Sequence, residues 1–206
     1  MNKLWNAARF TFMNLIDGIP PDIDLSHENL DISDKWIISR FEETAFNVNK
    51  ELNNYRFNEA AKAIYKFTWN DFCDWYVEIA KIRLYGDDPK KADIARTVLI
   101  HVLKGILTLL HPYSPFITEE LWSYFKTKNE KDLIISPWIN GKVLKNEQVF
   151  DSMDLLQQIV TSIRAIRSQL NIPPKKRATV YIANSESFKE MILSFDEVIK
   201  MLAGVN

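Results

Sequence analysis

Apolar residues recur every three to four positions along most of this chain, the spacing of one face of an amphipathic helix. Over 34–53 the stripe is Ile37, Phe41, Thr44/Ala45, Val48 and Leu52, with Ser33 or Asp34 placed to cap its start. Over about 58–84 it is Ala61, Ile64, Thr68, Phe72, Trp75, Ile79 and Ile82, and Tyr65, Trp69 and Tyr76 add a second aromatic edge. This is the longest helix the pattern predicts. Gly86, Asp87 and Asp88 break it, and Asp88 followed by Pro89 is a cap-then-proline start for a helix reaching about His111. Near its end that helix is apolar over most of its circumference, at Ile100, Val102, Leu103, Ile106, Leu107, Leu109 and Leu110, as a central buried helix requires. Pro112 and Pro115 then stop and restart the chain, with Ser114 as the cap of a short helix containing Glu119, Glu120, Leu121 and Trp122.

Residues 126–150 are polar and irregular around Pro137, Trp138 and Gly141, and read as a long connection. Periodicity returns over 151–170 through Leu155/Leu156, Ile159, Ile163, Ile166 and Leu170. After Pro173 and Pro174, residues 178–183 read as a strand, and 185–202 as a helix aligning Phe188, Met191/Ile192, Phe195, Ile199 and Leu202. At the other end the first residues already have the pattern of a helix interior, with Leu4, Trp5, Ala8, Phe12, Leu15 and Ile16 on one broad apolar side. A lone strand leaves its backbone groups unpaired. Either 133–136 supplies its partner or further strands lie beyond Asn206, and a chain truncated at both ends is the expectation.

Composition narrows the chemistry. With 206 residues, 47% of them hydrophobic, the chain can bury a core. Its five glycines are scattered, so no glycine-rich phosphate loop can be built. Cys73 is alone, which removes disulfides and cysteine zinc sites, and His27, His101 and His111 form no ligand pair at helical spacing. No metal site, no catalytic residue and no bound cofactor are therefore expected in these residues. No apolar run is long enough for a membrane helix and no signal-peptide core is present, so the expected setting is cytoplasmic, with no membrane partner. The net charge of −1 excludes a uniformly basic nucleic-acid coat. Charge is unevenly spread: Lys3 and Arg9 with no acid over 1–16, six acids and no base over 17–34, and an acid-free stretch over 159–183 with Arg164, Arg167, Lys175, Lys176 and Arg177.

Asp71, Asp74 and Glu78 share a face at i, i+3 and i+7, but the Glu-x-x-His pairs of a dimetal bundle are absent, so local ion pairs are expected, with Lys81 or a base on a neighbouring helix. Glu119 and Glu120 stand where acids complement a helix N-terminus. Cys73 with His101 would be a nucleophile and base, but Cys73 neighbours Phe72 and Trp75 with no local basic group and reads as a buried inert thiol. Five of the six tryptophans, Trp5, Trp36, Trp69, Trp75 and Trp122, fall on or beside apolar stripes and read as core or interface filling. The alternative is a platform on which unpaired bases stack, built from aromatic rings flanked by Arg or Lys, and Arg9 beside Phe10 is its best local instance.

The residue strings themselves go further. Y-R-F-N-E-A-A-K-A-I-Y-K-F-T-W-N-D-F-C-D-W-Y-V-E-I-A-K (55–81) closely resembles the anticodon-binding helical domain of valyl-tRNA synthetases. So do K-L-W-N-A-A-R-F (3–10), H-P-Y-S-P-F-I-T-E-E-L-W (111–122) and I-R-A-I-R-S-Q-L-N-I-P-P (163–174), in the family's order over essentially the whole chain. The string W-N-D-F-C-D-W-Y separates the valyl branch from the isoleucyl and leucyl ones. The resemblance implies a parent ligase that activates valine with ATP and joins it to its tRNA. The ATP-site signatures, the editing domain and the C-terminal coiled-coil arm of such enzymes are absent from these residues, so ATP belongs to the parent and not to this piece.

By position, the family's anticodon-contacting segment falls on Asn6, Arg9 and Phe10: an amide for a base edge, a charge or donor fork, and a ring for stacking. Trp75, Tyr76 and Lys81 on the long helix form a second contact region, with Trp75 also readable as core. Arg164, Arg167, Lys175 and Lys176 fall where the family's stem region approaches tRNA or packs on the catalytic core. The implied partners are the anticodon loop of a valine tRNA and the remaining domains of the synthetase. The fold expected is all-α, an antiparallel helix bundle of about five helices over 1–125, then a connection over 126–150 and a small, incomplete α+β segment over 151–206. Two rivals remain: the anticodon domain of an isoleucyl-tRNA synthetase, and a helical protein-interaction module whose tryptophans mark a protein interface.

Overall fold

The computed structural model describes residues 2–15, 18, 29–144, 146–183 and 188–206. The chain divides into two compact units, Met1–Lys145 and Asn146–Asn206. Most of the acidic stretch over 17–34, Ile16, and the predicted helix start at Ser185 lie outside the described residues.

In the first unit, α1 (Asn2–Met13) is followed by α2 (Ile32–Asn53), then by one continuous helical rod made of α3 (Phe57–Lys66), a π-helical segment (Phe67–Tyr76) and α4 (Val77–Leu84), then by α5 (Pro89–Leu110) and α6 (Pro115–Phe125). Turns of three or four residues join α2 to α3, α4 to α5 and α5 to α6, so successive helices run antiparallel. The all-α bundle expected from periodicity is what forms. α5 is its centre, in contact with α1, α2, α3, α4 and α6, and its apolar circumference is buried from Val98 to Leu109.

Capping chemistry sets most boundaries. Asp88 accepts from the Lys90 and Lys91 backbone N–H groups, as the Asp-Pro signal predicts. α2 starts differently from the expectation: Asp31 is the N-cap, and Asp34 closes a capping box by accepting from the Asp31 N–H. Ser114 precedes α6, but its side chain makes no cap bond; its carbonyl accepts from Thr118 instead.

The helical register of the long rod departs from the 3.6-residue expectation. Its buried side runs through Ala60, Ile64 and Phe67 and resumes at Phe72, Tyr76, Ala80 and Leu84. The five-residue step from Phe67 to Phe72 is the i→i+5 spacing of the π segment, whose last bond runs from the Val77 N–H to the Phe72 carbonyl. Thr68, Trp75 and Ile82, which a pure α-register sends to the core, are only half-buried, and Tyr76 takes the core position.

Residues 126–144 form no α-helix but are tied to the bundle. Glu119 accepts from the Leu133 and Ile134 N–H groups at the start of a 3-10 turn (Leu133–Ile135), Lys104 pairs with Glu130 at 2.7 Å, and Trp138 donates to Asn49 at 2.6 Å. The 3-10 turn rules out the first of the two alternatives, a partner strand at 133–136.

Gly105 marks the closest helix crossing. A Cβ there would lie 2.1 Å from Cζ of Phe41, a ring of α2 only 2% exposed. Gly105→Ala is expected to lower the unfolding free energy by about 1–3 kcal/mol through overpacking. Helix propensity alone would raise it by about 1 kcal/mol. Urea denaturation decides the sign, and a more stable variant would show that Phe41 can move aside freely.

In the second unit, α7 (Glu147–Gln169) packs against α9 (Asp196–Ala203), with α8 (Lys189–Ser194) between them in sequence. α7 ends in a Schellman motif: Asn171 has φ 52°, Ile172 N–H reaches the Arg167 carbonyl and Asn171 N–H the Ser168 carbonyl. The strand expected over 178–183 does not form. Ala178 makes an isolated parallel bridge with Val205, and beyond it Tyr181 is 91% exposed. With no sheet face to bury the alternating side chains, β-propensity has nothing to act on. The expected single helix over 185–202 is broken at Phe195, which separates α8 from α9.

Candidate nucleic-acid interface

α1 docks through small residues. Leu4, Ala7, Ala8 and Thr11 are buried, and the two alanines let the helix lie close to the π segment, α5 and α6. Polar groups fix it near both ends. Lys3 reaches Asp74 at 2.5 Å and the Trp69 carbonyl at 3.1 Å, with its Nζ 4.1 Å from the centre of the Trp69 ring, itself stacked on Tyr65. Arg96 of α5 donates to the Asn14 carbonyl at 2.9 Å. α1 is therefore a firmly seated helix with one open side.

That side carries Asn6 and Arg9, both exposed, and Phe10, half-buried. α1 contains two bases and no acid. Lys3 is committed to Asp74, and Arg9 has no carboxylate partner among the described residues. Lys81 of α4 stands 5.4 Å from the centre of the Phe10 ring and is held by both oxygens of Glu78, at 2.6 and 2.8 Å. The structure thus brings Phe10 and Lys81 together across α1 and α4, two sites the sequence pointed to separately.

Tyr76 is not part of that surface. Its side chain is fully buried and its hydroxyl donates to Asp34 at 2.6 Å, so the expected contact role is corrected by the π-segment register that turns it inward. Trp75, its neighbour, stays half-buried. Asp74 and Glu78 make the local ion pairs expected of them, and Asp71 pairs with Arg40 at 3.1 Å. Cys73 is buried, its thiol pushed up to about 11 by burial. Among the described residues no group of His, Cys, Asp and Glu is arranged to hold a metal, and no helix is long and apolar enough to cross a membrane.

On its other flank α1 forms a cleft of about 330 Å³ with α6. Ala8, Leu121 and Phe125 are its buried base. Trp5, Phe12 and Tyr124 rise around it, 40%, 48% and 44% exposed, and Arg9 lies on its edge. Phe12 meets Tyr124 edge-on at 5.5 Å and Phe125 at 6.3 Å. Trp5 and Phe12 were expected to pack on the apolar side of α1; their exposure corrects that reading. The i, i+4, i+7 spacing of Trp5, Arg9 and Phe12 was a sequence signal for this arrangement, whereas Tyr124 meets it only through the tertiary fold.

In the second unit the four basic residues divide. Lys175 and Lys176 are exposed on the turn after α7. Arg167 is buried and its guanidinium donates to the carbonyls of Gly204, Pro173 and Lys176, at 2.9, 3.1 and 2.8 Å. A free phosphate-binding role for Arg167 is thereby corrected: it is buried and both terminal nitrogens of its guanidinium already serve backbone carbonyls. Arg164 remains exposed, with its Nε bound to the Leu202 carbonyl at 2.9 Å.

Residues 34–182 match the family model described as the anticodon-binding domain of tRNA ligase. A valine-tRNA ligase of Syntrophotalea carbinolica is 37% identical over 209 aligned residues, covering 100% of this chain and 23% of that protein. Those of Carboxydothermus hydrogenoformans and Geobacillus stearothermophilus are 41% and 39% identical over 186 residues, covering 90% of this chain and 21% of each. The chain spans about a fifth of the length of the curated relatives it matches.

Proposed function

Because this chain belongs to the anticodon-binding domain family of tRNA ligases, we propose that it is the anticodon-recognising part of a valine-tRNA ligase, with the open side of α1 as its RNA contact. The observation that carries the reading is Arg9: an exposed cation without a carboxylate partner among the described residues, on an acid-free helix, beside Phe10 and Asn6. Single-stranded loops are read by stacking and by hydrogen bonds to base edges, and these three side chains offer a ring, a donor fork and an amide. Lys81, held in place by Glu78, stands over the Phe10 ring and supports it. Lys175, Lys176 and the free end of Arg164 are offered for backbone phosphates of the same tRNA. ATP use and the joining of valine to tRNA are assigned to the rest of the parent polypeptide, in the cytoplasm.

A filter-binding titration tests this. The chain should prefer valine tRNA over isoleucine tRNA and over an unrelated tRNA, and Arg9→Ala and Phe10→Ala should each weaken binding about tenfold, the scale of one lost base contact or stack. Arg9→Ala should also flatten the dependence of log K on log salt by roughly 0.7–0.9, as loss of one phosphate contact requires. Equal affinity for wild type and both variants would remove the assigned site. A salt-independent interaction would favour a protein-binding module instead.

A further inference from the structure

We propose that the cleft between α1 and α6 receives one unstacked nucleobase of the RNA loop, separate from the Asn6, Phe10 and Lys81 side of α1. The inference rests on the RNA-binding reading above. Its geometric basis is an aromatic enclosure on a firm floor. Seven residues separate Trp5 from Phe12, two helical turns or about 10 Å along the axis, so both rings project from the same side of α1. Phe12 is buttressed edge-on by Tyr124 and Phe125, which fixes the wall in place before any ligand arrives. The volume of about 330 Å³ lies at the small end of the ligand-pocket range of about 300–1,000 Å³, which suits a single planar ring system and not a folded segment.

Charge selects the occupant. Arg9 supplies a cation on the edge, where the phosphate of an inserted nucleotide would lie. Glu120, next to the cleft, accepts a hydrogen bond from the Tyr124 hydroxyl at 3.0 Å. That carboxylate disfavours a phosphate on the Tyr124 side but can accept from an N–H on a base. An aromatic interior with one cationic edge is the arrangement by which proteins hold unpaired bases. Arg9 then links the two sides of α1: its charge serves the backbone between a base lodged in the cleft and one stacked on Phe10.

The test uses the 206-residue chain and a hairpin RNA with the sequence of a valine tRNA anticodon arm, either intact or with one loop nucleotide at a time made abasic. Trp5→Ala and Tyr124→Ala should each bind the intact hairpin about tenfold more weakly, the scale of one lost base-aromatic stack, while Tyr124→Phe keeps near-wild-type affinity. One abasic position should weaken wild type by a similar factor and leave wild type, Trp5→Ala and Tyr124→Ala indistinguishable. Circular-dichroism melting verifies that each variant folds, and the two substitutions lie on different helices so that either can carry the result. If Phe10→Ala weakens the hairpin but Trp5→Ala and Tyr124→Ala do not, the α1 reading stands and the cleft proposal fails, leaving the cleft as a protein contact. If the cleft variants lose the same factor with every abasic hairpin, no base sits there. If no variant changes affinity, both readings fall.

Discussion

Arg83→Met should destabilise the first unit by about 3–5 kcal/mol at pH 7, and part of that loss should return as the pH is lowered. Asp34 sits at 0% exposure in the first turn of α2, where Arg83 grips it with two hydrogen bonds at 2.5 and 2.7 Å and Tyr76 donates at 2.6 Å. Burial pushes the Asp34 carboxyl above its usual range, and the Arg83 and Tyr76 hydrogen bonds pull the other way. Methionine keeps much of the apolar length of arginine but removes the main opposing contribution, so burial acts on a nearly unpaired charge. The carboxyl then titrates higher still in the folded state, while in the unfolded chain it stays near 3.8. Between those two values the folded protein binds more protons than the unfolded one, so stability rises as pH falls through that window. Urea midpoints at pH 7 and pH 5 measure it, and adding Asp34→Asn to Arg83→Met should recover stability at pH 7. A loss under about 1 kcal/mol would mean that the pair is worth no more than a surface ion pair. A pH-independent loss would mean that the damage is packing alone.

The same cluster shows where periodicity stops being informative. α2 and α5 follow their stripes because uniform α-register keeps every third or fourth residue on one face. The rod from Phe57 to Leu84 begins on such a stripe and leaves it at Phe67, since a π segment inserts an extra residue per turn and nothing in a 3.6-residue count announces it. Tyr76 and Trp75 exchange places as a result, and a ring expected on the RNA side becomes the hydroxyl partner of Asp34. Capping was legible where the signal was local, at Asp88 and Pro89. It was misjudged at α2 by the three residues that separate the N-cap Asp31 from its capping-box partner Asp34.

Candidate-site residues divide along the same line. Arg9 and Phe10 were visible because a helix with no acid advertises its bases, although which side of α1 stays open is set by its docking on the π segment, α5 and α6. Their contact with Lys81 and the ring of Tyr124 opposite Phe12 depend on α4 and α6 arriving from far along the chain. Exposure of Trp5 and Phe12 is likewise a tertiary fact: the helix pattern put them on the apolar side of α1, but the close approach of Ala7 and Ala8 to the bundle leaves the larger rings at the margin.

Arg167 carries the second large effect. A basic residue in an acid-free stretch reads as a phosphate ligand, yet here the guanidinium is buried, with no carboxylate partner among the described residues, and bridges three carbonyls. The charge is stabilised by those dipoles, including the carbonyl end that follows α9, where cations are favoured. Arg164 and Arg177 add bonds to the carbonyls of Leu202 and Val205, so three arginines together hold residues 202–205. Hydrogen bonds to a charged group contribute roughly 1.5–3 kcal/mol each and do not sum fully, so Arg167→Ala should cost the second unit about 3 kcal/mol or more. Lysine cannot replace it: one ammonium on a flexible stem does not reproduce a planar fork reaching Gly204 on one side and Pro173 and Lys176 on the other. Lys176→Ala, at an exposed side chain, should stay within about 0.5 kcal/mol of wild type. Hydrogen exchange gives the local readout, since the amides of Val205 and Asn206, bound to the carbonyls of Lys200 and Ala178, should lose protection first in Arg167→Ala. Full stability in Arg167→Lys would show that charge and not the fork is what matters. A cost for Arg167→Ala no larger than that for Lys176→Ala would return Arg167 to the surface role its sequence position suggests.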